Sequence, residues 1–301
     1  MNPLEIEHLK KYYGNAAAVK DVSFTVHPAE IFGLLGPNGA GKTTIISTVT
    51  TLEKPTEGTV KVFGEDVTKN PMFTKKQLGV VHQEVINSGY FSVEEILEFQ
   101  SGYYGFRKNT ERIHFLLNKL SLFEHRHKKV KQLSGGMKRR LMIAKALVHN
   151  PKLLLLDEPT AGVDISLRET LWDFVRDLKK EGMSILLTTH YLEEAEMLCD
   201  RVGIINRGHI ETIGNTKAII KDFTQREVSL TLNREITVPK ELLLEKHETT
   251  YRMLIPPGKA IGSMLADLSV ESPMIVDIQI KEGSLEEAFL RVLKTKSGET
   301  K

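Results

Sequence analysis

The hydrophobic residues of the chain change their spacing from one segment to the next. Apolar and polar positions alternate at 4–6, 22–26 and 60–62, which predicts half-buried strands of an antiparallel sheet. Segments 31–35 and 78–81 are apolar runs of strand length and predict two further strands. Segments 153–156 and 184–189 are almost continuously apolar, which predicts the buried centre of a parallel sheet.

Between about residues 84 and 150 the spacing becomes helical. Ser92 is followed three residues later by Glu95, a capping box that predicts the start of a helix. A second helix is expected after Thr110, and a third from Ser134 to about Asn150. Because strands precede and follow this region, we interpret it as a helical insertion in an α/β domain of residues 1–220, closed by a hairpin at 202–213.

The last 80 residues have a pattern of their own. Alternation predicts strands at 228–232, 251–255 and 274–280. Helix signals begin at Pro239, Ile261 and Ser284. We therefore expect a small accessory α+β domain over residues 221–301, with about three strands, three helices and a frayed tail after Leu293.

Composition narrows the class of protein. The 301 residues are 41% hydrophobic and 27% charged, with a net charge of +2, so no global field favours a nucleic-acid partner. Cys199 is the single cysteine, which excludes an internal disulfide.

No run approaches the roughly 18 apolar residues that span a bilayer, and the first residues lack a signal sequence, so we expect neither export nor membrane integration. The basic segment 125–131 has no interleaved aromatics and is interpreted as solvated surface.

A glycine-rich loop follows the apolar run at 31–35. Its residues are Gly36, Pro37, Asn38, Gly39, Ala40, Gly41, Lys42, Thr43 and Thr44. Gly36 and Gly41 are separated by four residues and followed at once by Lys42, which is the spacing of a P-loop between a strand and a helix. Such a loop turns backbone N–H groups toward phosphate oxygens at a helix N-terminus. Lys42 would reach the β- and γ-phosphates, and the Thr43 hydroxyl would ligate Mg²⁺.

Polar residues follow three of the predicted strands. Asp157 and Glu158 are adjacent carboxylates at a strand's carboxyl end, where one can hold Mg²⁺ and the other can orient and deprotonate water. His190 follows 184–189 and is placed to touch a γ-phosphate or the attacking water. Gln83 leaves the strand at 78–81 at the edge where α/β sheets meet ligand.

Two further segments suggest nucleotide binding. The turn of Ser134, Gly135 and Gly136 opens a helix and is a second anion-binding device. Tyr13 stands beside Gly14 in a predicted short loop, where an aromatic ring can stack on a nucleobase. Each signal alone is weak, since helix starts are often merely capped and loop tyrosines are often only partly buried surface.

Together these motifs resemble the ATP-binding subunit of an ABC transporter, in family order and without gaps over about residues 1–220. The correspondences are Tyr13 with the adenine-stacking loop, 36–44 with Walker A, Gln83 with the Q-loop, 133–137 with the signature, 153–157 with Walker B, Glu158 with the catalytic base, 161–164 with the D-loop and His190 with the switch histidine. Met137 departs from the family, which more often has Gln there.

The resemblance implies a P-loop NTPase fold, with an antiparallel β subdomain beside the helical insertion, that hydrolyses ATP with Mg²⁺. It implies catalytic roles for Glu158, His190, Gln83 and Lys42, and a metal site of Thr43, Gln83 and Asp157. ATP is expected between two subunits, with Ser134, Gly135 and Gly136 of one facing the P-loop of the other. The partners would be a transmembrane permease and a second copy or homologous ATPase, at the cytoplasmic face of the cell membrane.

The C-terminal segment is similar to the extension of the daunorubicin-resistance-like subfamily, which includes exporters of drugs, sodium and polysaccharides. This similarity rests on 276–278 and 284–290 and predicts export without naming a substrate. Two alternatives stay open. One is a soluble ABC-type ATPase acting on ribosomes or chromosomes, and the other is a P-loop kinase or regulator, which leaves the Ser134 turn and His190 unexplained.

Overall fold

The computed structural model describes residues 1–82, 89–161, 165–256 and 259–297. The chain divides into two compact units, residues 1–215 and 216–301. This division lies five residues before the predicted boundary at 220, because the helix that begins at Thr216 packs on the last helix of the chain. Within the described ranges, no helix has both the length and the apolar character needed to cross a bilayer.

The first unit contains strands and helices in alternation. In chain order they are β1 (Leu4–Tyr13), β2 (Ala16–Val26), β3 (Ile31–Leu35), α1 (Lys42–Val49), β4 (Glu57–Val62), β5 (Glu65–Asp66), α2 (Pro71–Gln77), β6 (Leu78–Val81), α3 (Val93–Tyr103), α4 (Thr110–Lys119), α5 (Gly135–Leu147), β7 (Leu153–Asp157), α6 (Ile165–Lys180), β8 (Ser184–Thr189), α7 (Leu192–Leu198), β9 (Arg201–Asn206) and β10 (His209–Asn215).

These strands form two sheets that share one hydrophobic core. The outer sheet has the order β2-β1-β4-β5 and is antiparallel. The central sheet has the order β10-β9-β3-β8-β7-β6, and all its pairs are parallel except the β9–β10 hairpin. Phe24 of the outer sheet stacks on Phe32 of the central sheet at 5.0 Å between ring centroids. The predicted α/β class with an antiparallel subdomain is confirmed.

The predicted helical insertion is formed by α3, α4 and α5. The expected capping box is present, because Ser92 Oγ accepts from the Glu95 N–H and Glu95 Oε2 accepts from the Ser92 N–H. Asn109, at the start of α4, donates to the carbonyl of Val148 and so connects α4 to the end of α5. The helices therefore hold α5 in a defined position above the central sheet.

The second unit comprises three helices and four strands in the described ranges. They are α8 (Thr216–Phe223), β11 (Arg226–Leu232), β12 (Leu243–His247), β13 (Thr250–Ile255), α9 (Ile261–Asp267), β14 (Ile275–Lys281) and α10 (Leu285–Ser297). The antiparallel sheet has the order β12-β13-β11-β14. A core of residues from β11, β13 and α9 includes Leu230, Tyr251 and Met264.

Two expectations for this unit were wrong. The helix expected from Pro239 is absent, and residues 243–247 form strand β12 instead, because Leu243 pairs with Met253 in the neighbouring strand. The apolar run there is too short for its spacing to separate helix from strand, so sheet pairing decides. The tail was expected to fray after Leu293, whereas α10 continues to Ser297.

Candidate functional site

The P-loop joins β3 to α1 at the carboxyl edge of the central sheet. Gly41 immediately precedes α1 with φ of 110°, a left-handed conformation that favours glycine. At Gly36 a side chain is excluded by packing, since an added Cβ would lie 2.3 Å from the carbonyl oxygen of Ile205. Both glycines are therefore required by the path of the backbone, which brings the loop back over the start of α1.

The ammonium group of Lys42 is held inside this loop. Its Nζ donates to the carbonyl of Gly36 at 2.7 Å and to that of Pro37 at 3.2 Å, and it lies 3.7 Å from Glu158 Oε1. The side chain is only 5% exposed. Burial lowers the pKa of Lys42, and the nearby carboxylates of Glu158 and Asp157 act in the opposite direction. A buried cation therefore lies at the N-terminus of α1.

Asp157 and Glu158 end β7 beside this cation. Thr188 of the adjacent strand β8 donates its hydroxyl to Asp157 Oδ1, and the Glu158 N–H donates to the carbonyl of Thr188 at 2.9 Å. Glu158 has φ of 48°, an uncommon left-handed conformation for a residue with a side chain. Parallel pairing with β8 therefore fixes where both carboxylates leave the sheet.

His190 follows β8 and meets Glu158. Its Nδ1 lies 3.1 Å from Glu158 Oε1, so one carboxylate oxygen is within 4 Å of both an imidazole and an ammonium group. His190 keeps 35% of its side chain exposed, whereas Glu158 keeps 7%. The structure thus brings together Lys42, Asp157, Glu158 and His190, which the sequence predicts as one site from positions up to 148 residues apart.

An open cleft of about 490 Å³ is lined by two of these groups, Lys42 and Glu158. Its lining residues are Ala18, Asn38, Gly39, Gly41, Lys42, Thr43, Thr44 and Glu158. The exposed hydroxyl of Thr43 and the carboxylate of Asp157 are hard oxygen donors, the chemistry that Mg²⁺ prefers. The cleft therefore presents the P-loop backbone and Thr43, and the buried Asp157 carboxylate near Lys42 adds a second oxygen donor of the kind that fits Mg²⁺.

The predicted signature residues lie elsewhere in the described structure. Ser134 precedes α5, where its Oγ accepts from the Met137 N–H at 3.3 Å. Ser134 and Gly135 are exposed, and neither they nor Gly136 belong to the described lining of the cleft. Within one chain, the helix N-terminus at Ser134 is thus separate from the P-loop cleft.

Tyr13 is the last residue of β1 and does not lie in the predicted loop, because the hairpin turn is formed by residues 14–15 alone. The ring is 47% exposed, and Lys11 Nζ lies 5.0 Å from its centroid. It offers an accessible aromatic face. Gln83 lies outside the described residues, and so does the D-loop segment 162–164.

Arg139 is a site residue that motif reasoning missed. It is 3% exposed, and its guanidinium donates to four backbone carbonyls. These belong to His82 (2.7 Å), Asp157 (3.4 Å), Glu158 (2.6 Å) and Pro159 (2.7 Å). The sequence does carry one signal for this residue. Arg139 shares a helical stripe with Met142, Ile143 and Ala146, and an apolar residue is expected at its position on that stripe. Arg139 thus joins the helix that begins at Ser134 to the backbone that carries Glu158.

Glu194 is a second missed residue. It is fully buried in α7, four residues after His190, and accepts from Trp172 Nε1 at 3.4 Å. Burial raises the pKa of Glu194, while hydrogen bonds from Thr189, Thr160 and Trp172 oppose the shift. It connects the strand that precedes His190 to the segment that follows Glu158. A buried glutamate among exposed ones on a short helix gives no sequence signal.

Similarity to known proteins was found with one family profile and with sequence relatives. The family profile described as "ABC transporter" matches residues 19–161. The linearmycin resistance ATP-binding protein LnrL of Bacillus subtilis is 34% identical over 303 residues, covering 96% of this chain and 97% of LnrL. The Nod factor export ATP-binding protein I of Rhizobium etli is 39% identical over 232 residues, covering 76% of this chain and 73% of that protein.

A solved structure is also similar to this chain. cbiO1 from Clostridium perfringens, part of the ABC transporter complex cbiONQ, superposes with a TM-score of 0.65 at 27% identity, over 73% of this chain and 94% of its own. None of these three relatives is named for a ribosomal or chromosomal role, so the soluble alternative is not favoured.

Replacing Arg139 with Met should lower kcat for ATP hydrolysis by about tenfold or more and change ATP affinity less than about threefold. The reason is that the forked guanidinium, which donates to the Glu158 carbonyl, is lost. Arg139→Lys keeps the charge without the fork and should be intermediate. Steady-state kinetics and calorimetric titration, at a temperature where melting curves show folded protein, measure both quantities.

Arg140 provides the matched control. It lies in the same helix but donates to the carbonyls of Leu120 and Ser121, away from the cleft. Arg140→Met should therefore keep kcat close to wild type. An equal loss of kcat in both variants would show that Arg139 acts only through general stability.

Proposed function

This chain belongs to the family of ABC transporter ATP-binding proteins, which hydrolyse ATP to power transport, and from that premise we propose how its own residues perform the reaction. The observation that carries the proposal is the position of Glu158 Oε1, 3.1 Å from His190 Nδ1 and 3.7 Å from Lys42 Nζ. A carboxylate between an imidazole and a phosphate-binding cation is where a base for the attacking water is needed.

In the proposed reaction, Glu158 accepts the proton of a water whose oxygen attacks the γ-phosphorus, and the bond to the bridging oxygen breaks to leave ADP. His190 holds Glu158 and the γ-phosphate in register. Lys42 neutralises charge on the β- and γ-phosphates, and the backbone of 36–41 cradles them. Glu158 is kept in place by the Thr188 and Arg139 hydrogen bonds to its backbone.

The remaining contacts with the nucleotide belong to the same proposal. Tyr13 would stack on the adenine, and Thr43, Asp157 and Gln83 would hold Mg²⁺, which would supply neutralisation of phosphate charge. Asn38, Gly39, Ala40 and Thr44 complete the phosphate loop. These roles are supported by the lining of the cleft for the P-loop residues and by the oxygen chemistry for Thr43 and Asp157.

A second subunit is proposed to complete the site. Ser134 and Gly135 are exposed and Gly136 is half-buried, at or near the start of a 13-residue helix and apart from the lining of their own P-loop cleft. A helix N-terminus of this kind attracts a phosphate. If the helix of one subunit meets the P-loop of another, the γ-phosphate is enclosed only when the dimer closes. Closing and reopening then provide the movement that drives transport.

The transmembrane permease is proposed to dock on a groove between the central sheet and the helical insertion. The groove consists of two adjoining clefts of about 330 and 390 Å³ that share Thr50, Val80, Gln100 and Tyr104. Its rim carries exposed apolar side chains, among them Tyr103 at 88% and Leu52 at 67%. Exposed aromatic and aliphatic groups around a cleft are typical of a protein interface. Such docking places the chain at the cytoplasmic face of the membrane.

Export is the proposed direction of transport. The two sequence relatives are named for resistance to linearmycin and for export of Nod factor. We also propose that residues 1–220 act as the ATP-binding domain and 221–301 as an accessory domain. The permease and the second ATPase subunit are the partners of this arrangement.

The Glu158→Gln variant should keep ATP affinity, while hydrolysis falls by roughly 10² to 10⁴, the usual contribution of a general base. The amide keeps the size of the side chain but accepts no proton. Single-turnover hydrolysis and ATP titration on the same preparation measure the two effects.

Glu193→Gln serves as control, because Glu193 lies in α7 with 73% of its side chain exposed. It should hydrolyse ATP at the wild-type rate. If Glu158→Gln turns over within tenfold of wild type, Glu158 is not the base.

Mixing two inactive variants tests the two-subunit site. Ser134→Arg blocks the signature and Lys42→Ala removes the phosphate cation, so each homodimer carries its lesion in both sites. A mixed dimer contains one site built from an intact P-loop and an intact signature. An equimolar mixture should recover about a quarter of wild-type activity, since half the dimers are mixed and each has one of two sites intact.

The recovery should rise with total concentration as subunits exchange. Wild type mixed with the Lys42→Ala variant provides the reference for exchange. Exchange without any recovery would mean that the signature acts within its own chain or that both sites must be intact.

A further inference from the structure

Strand β14 is an edge of the sheet in the second unit. It pairs with β11 on one side, and no described strand pairs with its other side. The Ile278 N–H donates to Asp277 Oδ1 at 2.9 Å, so this N–H points away from β11. Because N–H groups alternate sides along an antiparallel strand, the Ile280 N–H faces the same open edge. Backbone groups for a further strand are therefore present.

This edge strand is also apolar on one face. Ile278 pairs with Leu230 and Ile280 with Val228, and directly opposite residues share a face of the sheet. Leu230 and Val228 are at most 2% exposed, whereas Ile278 is 37% and Ile280 50% exposed. The hydrophobic face thus continues onto β14 beyond the described core of the unit. Natural sheets seldom leave an apolar edge strand uncovered.

The sequence of β14 is complementary to itself. If two copies pair antiparallel about a two-fold axis at Gln279, Asp277 of one faces Lys281 of the other, twice. Ile278 then faces Ile280 of the second copy, so both apolar faces lie on the same side. Ile278 and Ile280, whose N–H groups face the free edge, become the hydrogen-bonded pairs, and the Ile278 N–H exchanges its Asp277 acceptor for a backbone carbonyl of the second copy.

Neighbouring registers lack this match. A two-fold axis at Ile278 would place Asp277 opposite Gln279, and one at Asp277 would place the two Asp277 carboxylates against each other. A one-residue slip without a two-fold axis would turn the apolar side chains to opposite faces. In the single chain Lys281 Nζ lies 3.1 Å from Glu287 Oε1, a contact between exposed side chains that it would exchange for Asp277 of the second copy. Among the registers compared, charge and hydrophobicity together favour the one centred on Gln279.

We propose that β14 pairs with β14 of a second copy, so that two C-terminal units form one eight-stranded sheet. This contact needs no nucleotide, and so it goes beyond the ATP-driven dimer. It keeps two ATP-binding units at a high effective concentration while their ATP sites are open.

Charge reversal tests the pairing in the full-length chain without nucleotide. Sedimentation velocity of the wild type over about 1–100 µM should show a concentration-dependent dimer. Asp277→Lys places lysines opposite Lys281, and Lys281→Asp places aspartates opposite Asp277, so each variant should be monomeric over the same range. A mixture of the two should form a heterodimer, and the double variant Asp277→Lys/Lys281→Asp should dimerise again.

Lys240→Asp provides the control, since Lys240 is exposed outside β14 and the substitution changes the net charge as Lys281→Asp does. It should dimerise like the wild type. All variants should retain wild-type ATP affinity and, at a concentration at which the wild type is monomeric, its melting temperature. A monomeric wild type, single variants that dimerise normally, or a mixture that does not associate would each overturn the proposal. None of these results depends on hydrolysis, so failure here leaves the catalytic proposal intact.

Discussion

The constraint on which the rest of the site depends is the burial of the Lys42 ammonium. A buried cation is costly unless carbonyls and carboxylates surround it, and here Gly36, Pro37 and Glu158 do so. The loop must turn its carbonyls inward, which requires glycine where Ile205 packs close. The Glu158 carboxylate must also leave the end of its strand at the level of the P-loop, so that it lies next to the Lys42 ammonium. The buried Lys42 ammonium thus accounts for the inward carbonyls of the loop and for the position of the Glu158 carboxylate beside it.

The same site shows how nucleotide binding can reach the helical insertion. Arg139 ties α5 to the carbonyls around Glu158 and to His82, the residue before Gln83. The opposite end of the same helix meets α4 through the Asn109 bond to the Val148 carbonyl. Helix α5, with 13 residues, therefore connects the backbone of Glu158, the exposed Ser134 turn and the groove proposed for the permease. Movement of any of these must move the others.

Sequence reasoning worked where a motif is contiguous and failed where folding creates the contact. The P-loop, the carboxylates after β7 and the strand before His190 carry local signals, and parallel strands bring their carboxyl ends to one edge. The four acceptors of Arg139 lie 18 to 57 residues away, so no local pattern reveals them. Likewise β12 is a strand because β13 lies beside it, although three consecutive leucines and a preceding proline favoured a helix.

The central claim is that each chain holds half of an ATP site and that Ser134 of a second copy completes it. The most direct measurement is disulfide formation between Asn38→Cys and Ser134→Cys placed together in a Glu158→Gln chain, read from product mass on a non-reducing gel. The native thiol of Cys199 is buried. Chains that carry only one of the two introduced cysteines serve as controls. With ATP and Mg²⁺ the crosslink should join two chains, and without nucleotide it should not form. A crosslink within one chain, or one between chains that is indifferent to ATP, would contradict the account.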